Sequence, residues 1–119
     1  ITYMPPRNTK EQLKKVQVLC KKLGFMEISG VDINSSRQTF NCPEVLDPDF
    51  SHLIDSTWAL IAHEKLTGED RKYSLFSEDN GLFSLSLDKR IFLYSKAGQH
   101  LDPSDPRLTE EIKEILKKR

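Results

Sequence analysis

Cysteine, long apolar runs and net charge are all scarce in this chain, and each scarcity disfavours a class of protein. Only two of the 119 residues are cysteines, whereas a small secreted domain stabilised by disulfides carries more at regular spacing. The sequence contains no stretch of about 18 apolar residues, so no transmembrane helix is expected. The formal net charge is +0 at pH 7, which disfavours a dedicated nucleic-acid binder because phosphate affinity depends on clustered Lys and Arg. We therefore expect a cytoplasmic protein that acts without a membrane.

Cofactor motifs are missing as well, since the sequence has no glycine-rich phosphate loop and no zinc-ligand spacing. Hydrophobic residues make up 37% and charged residues 30% of the chain, a composition typical of an ordinary globular domain. A chain of this length can bury enough surface to fold by itself, and no internal repeat divides it. The sequence predicts one domain over residues 1–119 and no cofactor.

The most distinct pattern lies between Arg71 and Ser95, where apolar and polar residues alternate around two short turns. Asn80-Gly81 is the preferred pair for a two-residue type I′ hairpin, because both central positions need positive φ. A second two-residue turn at Asp88-Lys89 would complete a meander of three antiparallel strands. Both faces of this meander are largely apolar, so helices are expected on both sides of the sheet.

A first helix is predicted before the meander, followed by two short strands. Asn8 with Glu11 three residues later is a capping signal, and Gly24 is the expected left-handed stop. The strands are predicted over Phe25 to Ile33 and Arg37 to Cys42, on either side of a polar turn. Apolar residues of the helix recur at helical spacing at Leu13, Val16, Leu19, Cys20 and Leu23.

Two further helices complete the predicted fold. One runs from Phe50 to Thr67, stops at Gly68, and is apolar around so much of its circumference that it should be the most buried helix. The last follows a polar loop from Ala97 to Pro106. Its apolar positions are Leu108, Ile112, Ile115 and Leu116. The predicted fold is α+β, a single small domain with an antiparallel sheet and helices on both faces, in the order αββαβββα.

Signals for catalysis or metal binding are weak. His52 and His63 are eleven residues apart, which on one helix separates the rings by about 16 Å, too far for one metal ion. We interpret them as part of a solvated polar face. Cys20 fits a small core residue, and Cys42 has no histidine near it in the sequence. A distant residue such as His100 could still fold beside Cys42, so an enzyme stays a disfavoured but open alternative.

Charge is distributed unevenly along the chain. The segment from Ile1 to Gly24 has six basic residues and one acidic residue, while the charged residues from Pro43 to Trp58 are all acidic. Those acids are Glu44, Asp47, Asp49 and Asp55, which we interpret as helix capping or as a surface for a basic partner. Five lysines of the first helix are the candidate binding residues: Lys10, Lys14, Lys15, Lys21 and Lys22. They could contact a phosphate or an acidic protein surface, and a solvated helix face is the alternative.

Two runs, LCKKLGF from Leu19 to Phe25 and DSTWALI from Asp55 to Ile61, resemble the small phage "ABA sandwich" family. In that family a first helix ends in a Leu-Gly-aromatic step and a second carries a buried Ala-Trp type pair. The order of elements, with a meander and a final helix, is similar over most of the chain. The resemblance implies a phage or prophage origin and a non-enzymatic accessory role, and it supplies no catalytic residue.

Two functions are predicted. The first is a module that docks on a protein partner and masks or adapts it, using the basic first helix and the acidic segment for complementary contacts. The second is a protein, with a homo-oligomer left open, that sequesters a phosphorylated nucleotide in counter-defence. Its candidate features are the positive charges of the first helix, the rings of Tyr73, Tyr94 and Trp58 and the Ala97 to Asp105 loop as a lid. A thermal shift that rises with ligand concentration would distinguish the second function from the first.

Overall fold

Helices dominate the computed structural model, which describes residues 1–38 and 41–100 together with Glu110 and Glu114. The helices of this part are α1 (Lys10–Leu23), α2 (His52–Glu69) and α3 (Leu87–Gln99), and short 3₁₀ helices cover Pro43–Leu46 and Arg71–Tyr73. Its strands are β1 (Thr2–Tyr3) and β2 (Ile28–Ser29), which form one parallel pair. The predicted α+β fold, an antiparallel sheet with helices on both faces, is therefore wrong for the described residues.

The chain divides into two compact units, unit 1 (Ile1–Ile54) and unit 2 (Asp55–Arg119). The division falls within the first turn of α2. The single domain over residues 1–119 stays a prediction.

Helix α1 confirms the first predicted helix. Its N-cap is Thr9, one residue after the predicted Asn8, because the Thr9 hydroxyl accepts from the Gln12 amide while the Gln12 side chain accepts from the Thr9 amide at 3.0 Å. This reciprocal pair satisfies two backbone donors that have no partner inside the helix. Gly24 ends the helix with φ +69°, and its amide donates to the Cys20 carbonyl. Glycine adopts this left-handed conformation without the steric cost that a side chain incurs.

Unit 1 contains the short parallel sheet. Thr2 lies opposite Ile28, and Tyr3 lies opposite Ser29. The strand predicted over Phe25 to Ile33 is thus reduced to β2.

The strand predicted over Arg37 to Cys42 is also wrong, since none of its described residues, 37, 38, 41 and 42, is in a strand. The polar residues before it close a turn in which the Gln38 amide donates to the Ser35 carbonyl at 3.1 Å. Backbone groups that are paired locally in this way need no neighbouring strand.

The core of unit 1 joins the sheet, α1 and the start of α2. Tyr3, Leu13, Phe50 and Leu53 form a buried cluster, and the partly buried Val16 and Val45 pack against it. Burying such side chains is the main favourable contribution to folding, at roughly 25 cal/mol per Å² of apolar surface.

Helix α2 confirms the second predicted helix with a displacement of two residues at each end. It begins at His52 instead of Phe50, and it continues through Gly68 to Glu69. Its buried positions are Leu53, Ser56, Ala59, Ala62 and Leu66.

The meander predicted between Arg71 and Ser95 is wrong, because α3 occupies its last third. The Ser86 hydroxyl caps α3 by accepting from the Lys89 amide at 3.4 Å, so the predicted turn Asp88-Lys89 lies in the first helical turn. The buried residues include Arg90, Tyr94, Ala97 and Gly98, which follow the spacing of one helix face. A short apolar run can fit either period, and here the cap and the buried helical face favour the helix.

The pair Asn80-Gly81 does not form the predicted type I′ turn. Gly24 is the only described residue with positive φ, and a type I′ turn needs positive φ at both central positions. The buried Asn80 side chain instead accepts from the Leu82 amide at 2.9 Å and donates to the Ser74 carbonyl at 2.7 Å and the Tyr94 hydroxyl at 2.8 Å. Asn80 therefore fastens the segment before α3 onto that helix.

Within unit 2, α2 and α3 approach each other closely at Gly98. A β-carbon added to Gly98 would lie 2.1 Å from the Trp58 carbonyl oxygen. Only hydrogen at this position allows the two backbones to come so close.

Leu108, Ile112, Ile115 and Leu116 of the predicted last helix lie outside the described residues, as does most of the predicted loop from Ala97 to Pro106. The described Glu110 and Glu114 of this helix are helical. The first three residues of the predicted loop, Ala97 to Gln99, belong to α3. None of the described helices combines the length and the apolar character needed to cross a membrane.

Candidate functional site

The five candidate lysines lie on α1 and are exposed. Lys14, Lys15, Lys21 and Lys22 stand three or four residues from Val18, which makes them its neighbours on the helix surface. Val18 itself is 68% exposed. The solvent face of α1 thus carries an apolar side chain surrounded by four lysines.

Three of the five lysines have acidic partners within unit 1. The pairs are Lys10–Asp47 at 2.6 Å, Lys14–Asp49 at 3.8 Å and Lys15–Glu11 at 2.8 Å. The hydrogen bond to Asp47 raises the pKa of Lys10, and the same bond lowers the pKa of Asp47. Exposed pairs of this kind add little stability. Part of the acidic segment that was predicted to oppose the basic helix therefore contacts that helix within the same unit.

Lys21 and Lys22 make no ion pair with any described residue. They lie in the last turn of α1, beside three further large apolar side chains that are about half exposed. These are Leu19, Leu23 and Phe25. We call the set of Val18, Leu19, Lys21, Lys22, Leu23 and Phe25 the apolar-lysine surface.

A second cluster in unit 1 joins three titratable side chains. The Tyr3 hydroxyl donates to Glu27 Oε1 at 3.1 Å, and His52 Nε2 lies 3.3 Å from each of these two oxygens. Gln17 Nε2 donates to the Tyr3 hydroxyl at 3.4 Å. Burial raises the pKa of Tyr3, so the phenol stays protonated and serves as a donor. The three side chains are hydrogen-bonded to one another, which suits a role in holding β1, the residue before β2 and the start of α2 together.

The sequence suggested that His63 belongs to a solvated polar face, but its imidazole is partly buried and contacts two other residues. Its Nδ1 accepts from the Leu75 amide at 3.1 Å, and the Phe76 ring lies edge-on at 5.8 Å. Burial lowers the pKa of His63, because the charged imidazolium loses solvation there. In the described part of the chain, no group of three or more His, Cys, Asp or Glu side chains could hold a metal ion.

The cysteines have environments that favour the thiol over the reactive thiolate. Cys20 is buried as predicted, and burial raises its pKa. Burial and a hydrogen bond with Glu44 raise the pKa of Cys42. A nucleophilic cysteine requires the opposite shift.

The three rings predicted to stack a base, those of Tyr73, Tyr94 and Trp58, lie in different surroundings. Tyr94 is fully buried, and its hydroxyl accepts from Asn80 and donates to the Tyr73 carbonyl. The Tyr73 ring lies 5.0 Å from the Lys72 ammonium, and Trp58 contributes its carbonyl to the close contact with Gly98. The Tyr94 ring is therefore closed to a ligand.

Comparisons with protein-family models, curated proteins and solved structures found no match to this chain.

Proposed function

We propose that this protein is a non-enzymatic module that docks on an acidic protein partner through the apolar-lysine surface and masks or adapts it. The observation that carries the proposal is the position of the exposed Val18 within a ring of four lysines on α1. Lys21 and Lys22 supply the charge that is not balanced by acids among the described residues.

The combination of apolar and basic side chains supports a protein partner over a purely electrostatic one. Single exposed apolar residues are common on proteins, but here four large ones lie within eight consecutive residues, 18 to 25. Full burial of such a side chain contributes about 1.5–3 kcal/mol, so their joint burial can offset part of the cost of association. The lysines would accelerate encounter with an acidic surface and select against basic ones.

Catalysis has no comparable support among the described residues. Both thiols have raised pKa values, and Tyr3, Glu27 and His52 are bonded to one another. The binding function therefore rests on a surface, and the enzymatic alternative has no activated group among the described residues.

The test compares capture of acidic proteins from cell extract by the wild type and by Lys21→Glu/Lys22→Glu and Val18→Ser variants, with quantitative mass spectrometry. The control is Lys65→Glu/Lys89→Glu, which changes net charge by the same amount at two exposed lysines of unit 2. We expect a specific acidic protein to be depleted at least tenfold from both surface variants and retained by the control. The purified pair should then bind less tightly as salt rises.

Equal capture by the wild type and the surface variants would refute the proposal. Circular dichroism spectra and melting midpoints must be close to wild type for the comparison to count. The reversed charges oppose the helix dipole, and we expect that effect to cost only about 0.3–1 kcal/mol per residue.

The phage or prophage origin, the counter-defence role and the cytoplasmic location stay predictions. The alternative function, sequestering a phosphorylated nucleotide, is weakened where it relied on Tyr94, which is buried. A thermal shift that rises with nucleotide concentration would favour that alternative.

A further inference from the structure

Unit 2 buries an arginine that has no carboxylate partner among the described residues. Arg90, in the first turns of α3, is only 9% exposed, and its Nη1 donates to the Leu75 carbonyl. Its Nε is buried and has no hydrogen-bond acceptor. No Asp or Glu of the described residues forms an ion pair with it.

Such an arrangement is energetically unfavourable unless something compensates the charge. A guanidinium cannot lose its proton in a protein, and burying an unpaired charge costs far more than burying a neutral polar group. One neutral carbonyl satisfies one of the five N–H donors. The guanidinium edge that contains Nε and Nη2 is an edge that arginine uses for bidentate contact with oxyanions.

In the part of the chain that the structure describes, one aromatic ring lies over this guanidinium. The Phe83 ring centroid is 5.0 Å from Arg90 Cζ, and Phe83 is 40% exposed. The Phe83 backbone N–H donates a hydrogen bond to the Asn80 carbonyl at 2.8 Å, while an exposed side chain can change rotamer within nanoseconds. Rotation of the Phe83 side chain would therefore open a path from solvent to Arg90 without unfolding the segment.

We propose that Arg90 is a binding site for the phosphoryl group of a small molecule, with Nε and Nη2 as donors and Phe83 as the cover. The burial of Arg90 restricts the ligand to a compact oxyanion. Arg90 is the fourth residue of α3, so the positive end of the helix dipole adds to the attraction. A phosphate dianion compensates this field better than a singly charged carboxylate does.

The direct test is a ¹H–¹⁵N spectrum of the arginine Nε–H groups of the full chain during titration with inorganic phosphate. Acetate and chloride at matched ionic strength are the comparison titrations. We expect the Arg90 Nε–H signal to shift and saturate with phosphate while the exposed Arg7 and Arg37 signals move little. A saturable shift with acetate alone would overturn the phosphoryl assignment, and no saturable shift with either oxyanion would overturn the site.

A second measurement tests the cover. Phe83→Ala should lower the apparent Kd for phosphate about threefold or more, because a larger fraction of molecules would present an open site. The control is Phe92→Ala, an exposed α3 aromatic that contacts Lys96 instead of Arg90. An equal Kd in the two variants would overturn the proposed role of Phe83 as the cover. If Arg90 had only a structural role, neither variant would show saturable phosphate binding.

Discussion

Two helical glycines of unit 2 should respond oppositely to the same substitution. Gly98 lies in α3 with the Trp58 carbonyl so near that an added β-carbon would be 2.1 Å from its oxygen. Gly68 lies in α2, and an added β-carbon there would meet nothing within 4 Å. We therefore expect Gly98→Ala to destabilise the protein and Gly68→Ala to stabilise it.

The magnitudes follow from packing and helix propensity. Favourable carbon contacts lie at about 3.5–4.0 Å, so Gly98→Ala requires α2 and α3 to separate by about an ångström. Overpacking of this kind costs about 3 kcal/mol at the upper end of its usual range, and the helix preference of Ala over Gly returns about 1 kcal/mol. The net loss is about 2 kcal/mol for Gly98→Ala. Gly68→Ala keeps only the propensity term, a gain of about 1 kcal/mol.

Thermal and urea unfolding followed by circular dichroism measure both effects. At about 4 °C per kcal/mol for a chain of this size, Tm should fall by roughly 8 °C in Gly98→Ala and rise by roughly 4 °C in Gly68→Ala. If Gly98→Ala were as stable as the wild type, the close contact between α3 and Trp58 would be refuted. A loss of similar size in Gly68→Ala would point to a general intolerance of substitution and would also contradict the reasoning.

The remaining predictions concern the segment between α2 and α3 and His63, the α2 residue that accepts a hydrogen bond from this segment. Asn80→Ala should cost about 2–3 kcal/mol, because it removes three hydrogen bonds of a buried side chain. Gly81→Ala should be nearly neutral, whereas the hairpin expected from the sequence would make it costly; urea midpoints of the two variants decide between these outcomes. The lowered pKa of His63 means that its contribution to stability is present above pH 6.5 and is lost as pH falls below that value, since the unfolded chain binds the proton more readily. His63→Asn keeps an acceptor but cannot titrate, so its urea midpoint should fall less than that of the wild type between pH 7.5 and 5.5, and an equal fall would contradict this assignment.

Local signals in the sequence predicted the helices where the deciding contacts are local. The bonds that start α1 join residues three apart, Thr9 and Gln12, and Gly24 follows the last helical residue directly. The segment around Asn80 fails for the opposite reason, since its side chain bonds to Tyr94 fourteen residues away. Asn-Gly is favourable for a type I′ turn only when no other partner competes for the amide. Tertiary contacts of this kind outweigh the turn preference, and no period or propensity in the sequence reveals them.

The polar cluster of unit 1 was beyond sequence reasoning as well, whereas the buried Arg90 of unit 2 was not. Tyr3, Glu27 and His52 are separated by 24 to 49 residues, and each of them alone resembles an ordinary surface or core residue. Arg90 directly follows the predicted turn Asp88-Lys89, although its spacing from Tyr94 and Ala97 also fits a helix. That spacing could have identified a buried arginine if the helical period had been preferred over the alternating one.

For the lysines of α1, the sequence predicted their position on one helix but not their ion pairs. The sequence placed all five lysines on one helix. The four lysines around Val18 could also be identified from the sequence, because helix neighbours are three or four residues apart. The sequence could not show that Asp47 and Asp49 fold back onto Lys10 and Lys14. Those pairs reduce the available charge at the start of α1 and leave it at Lys21 and Lys22. An acidic partner should therefore approach the last turn of the helix, where Leu19, Leu23 and Phe25 are exposed. Reversal of Lys21 and Lys22 should consequently weaken binding more than reversal of Lys10 and Lys14.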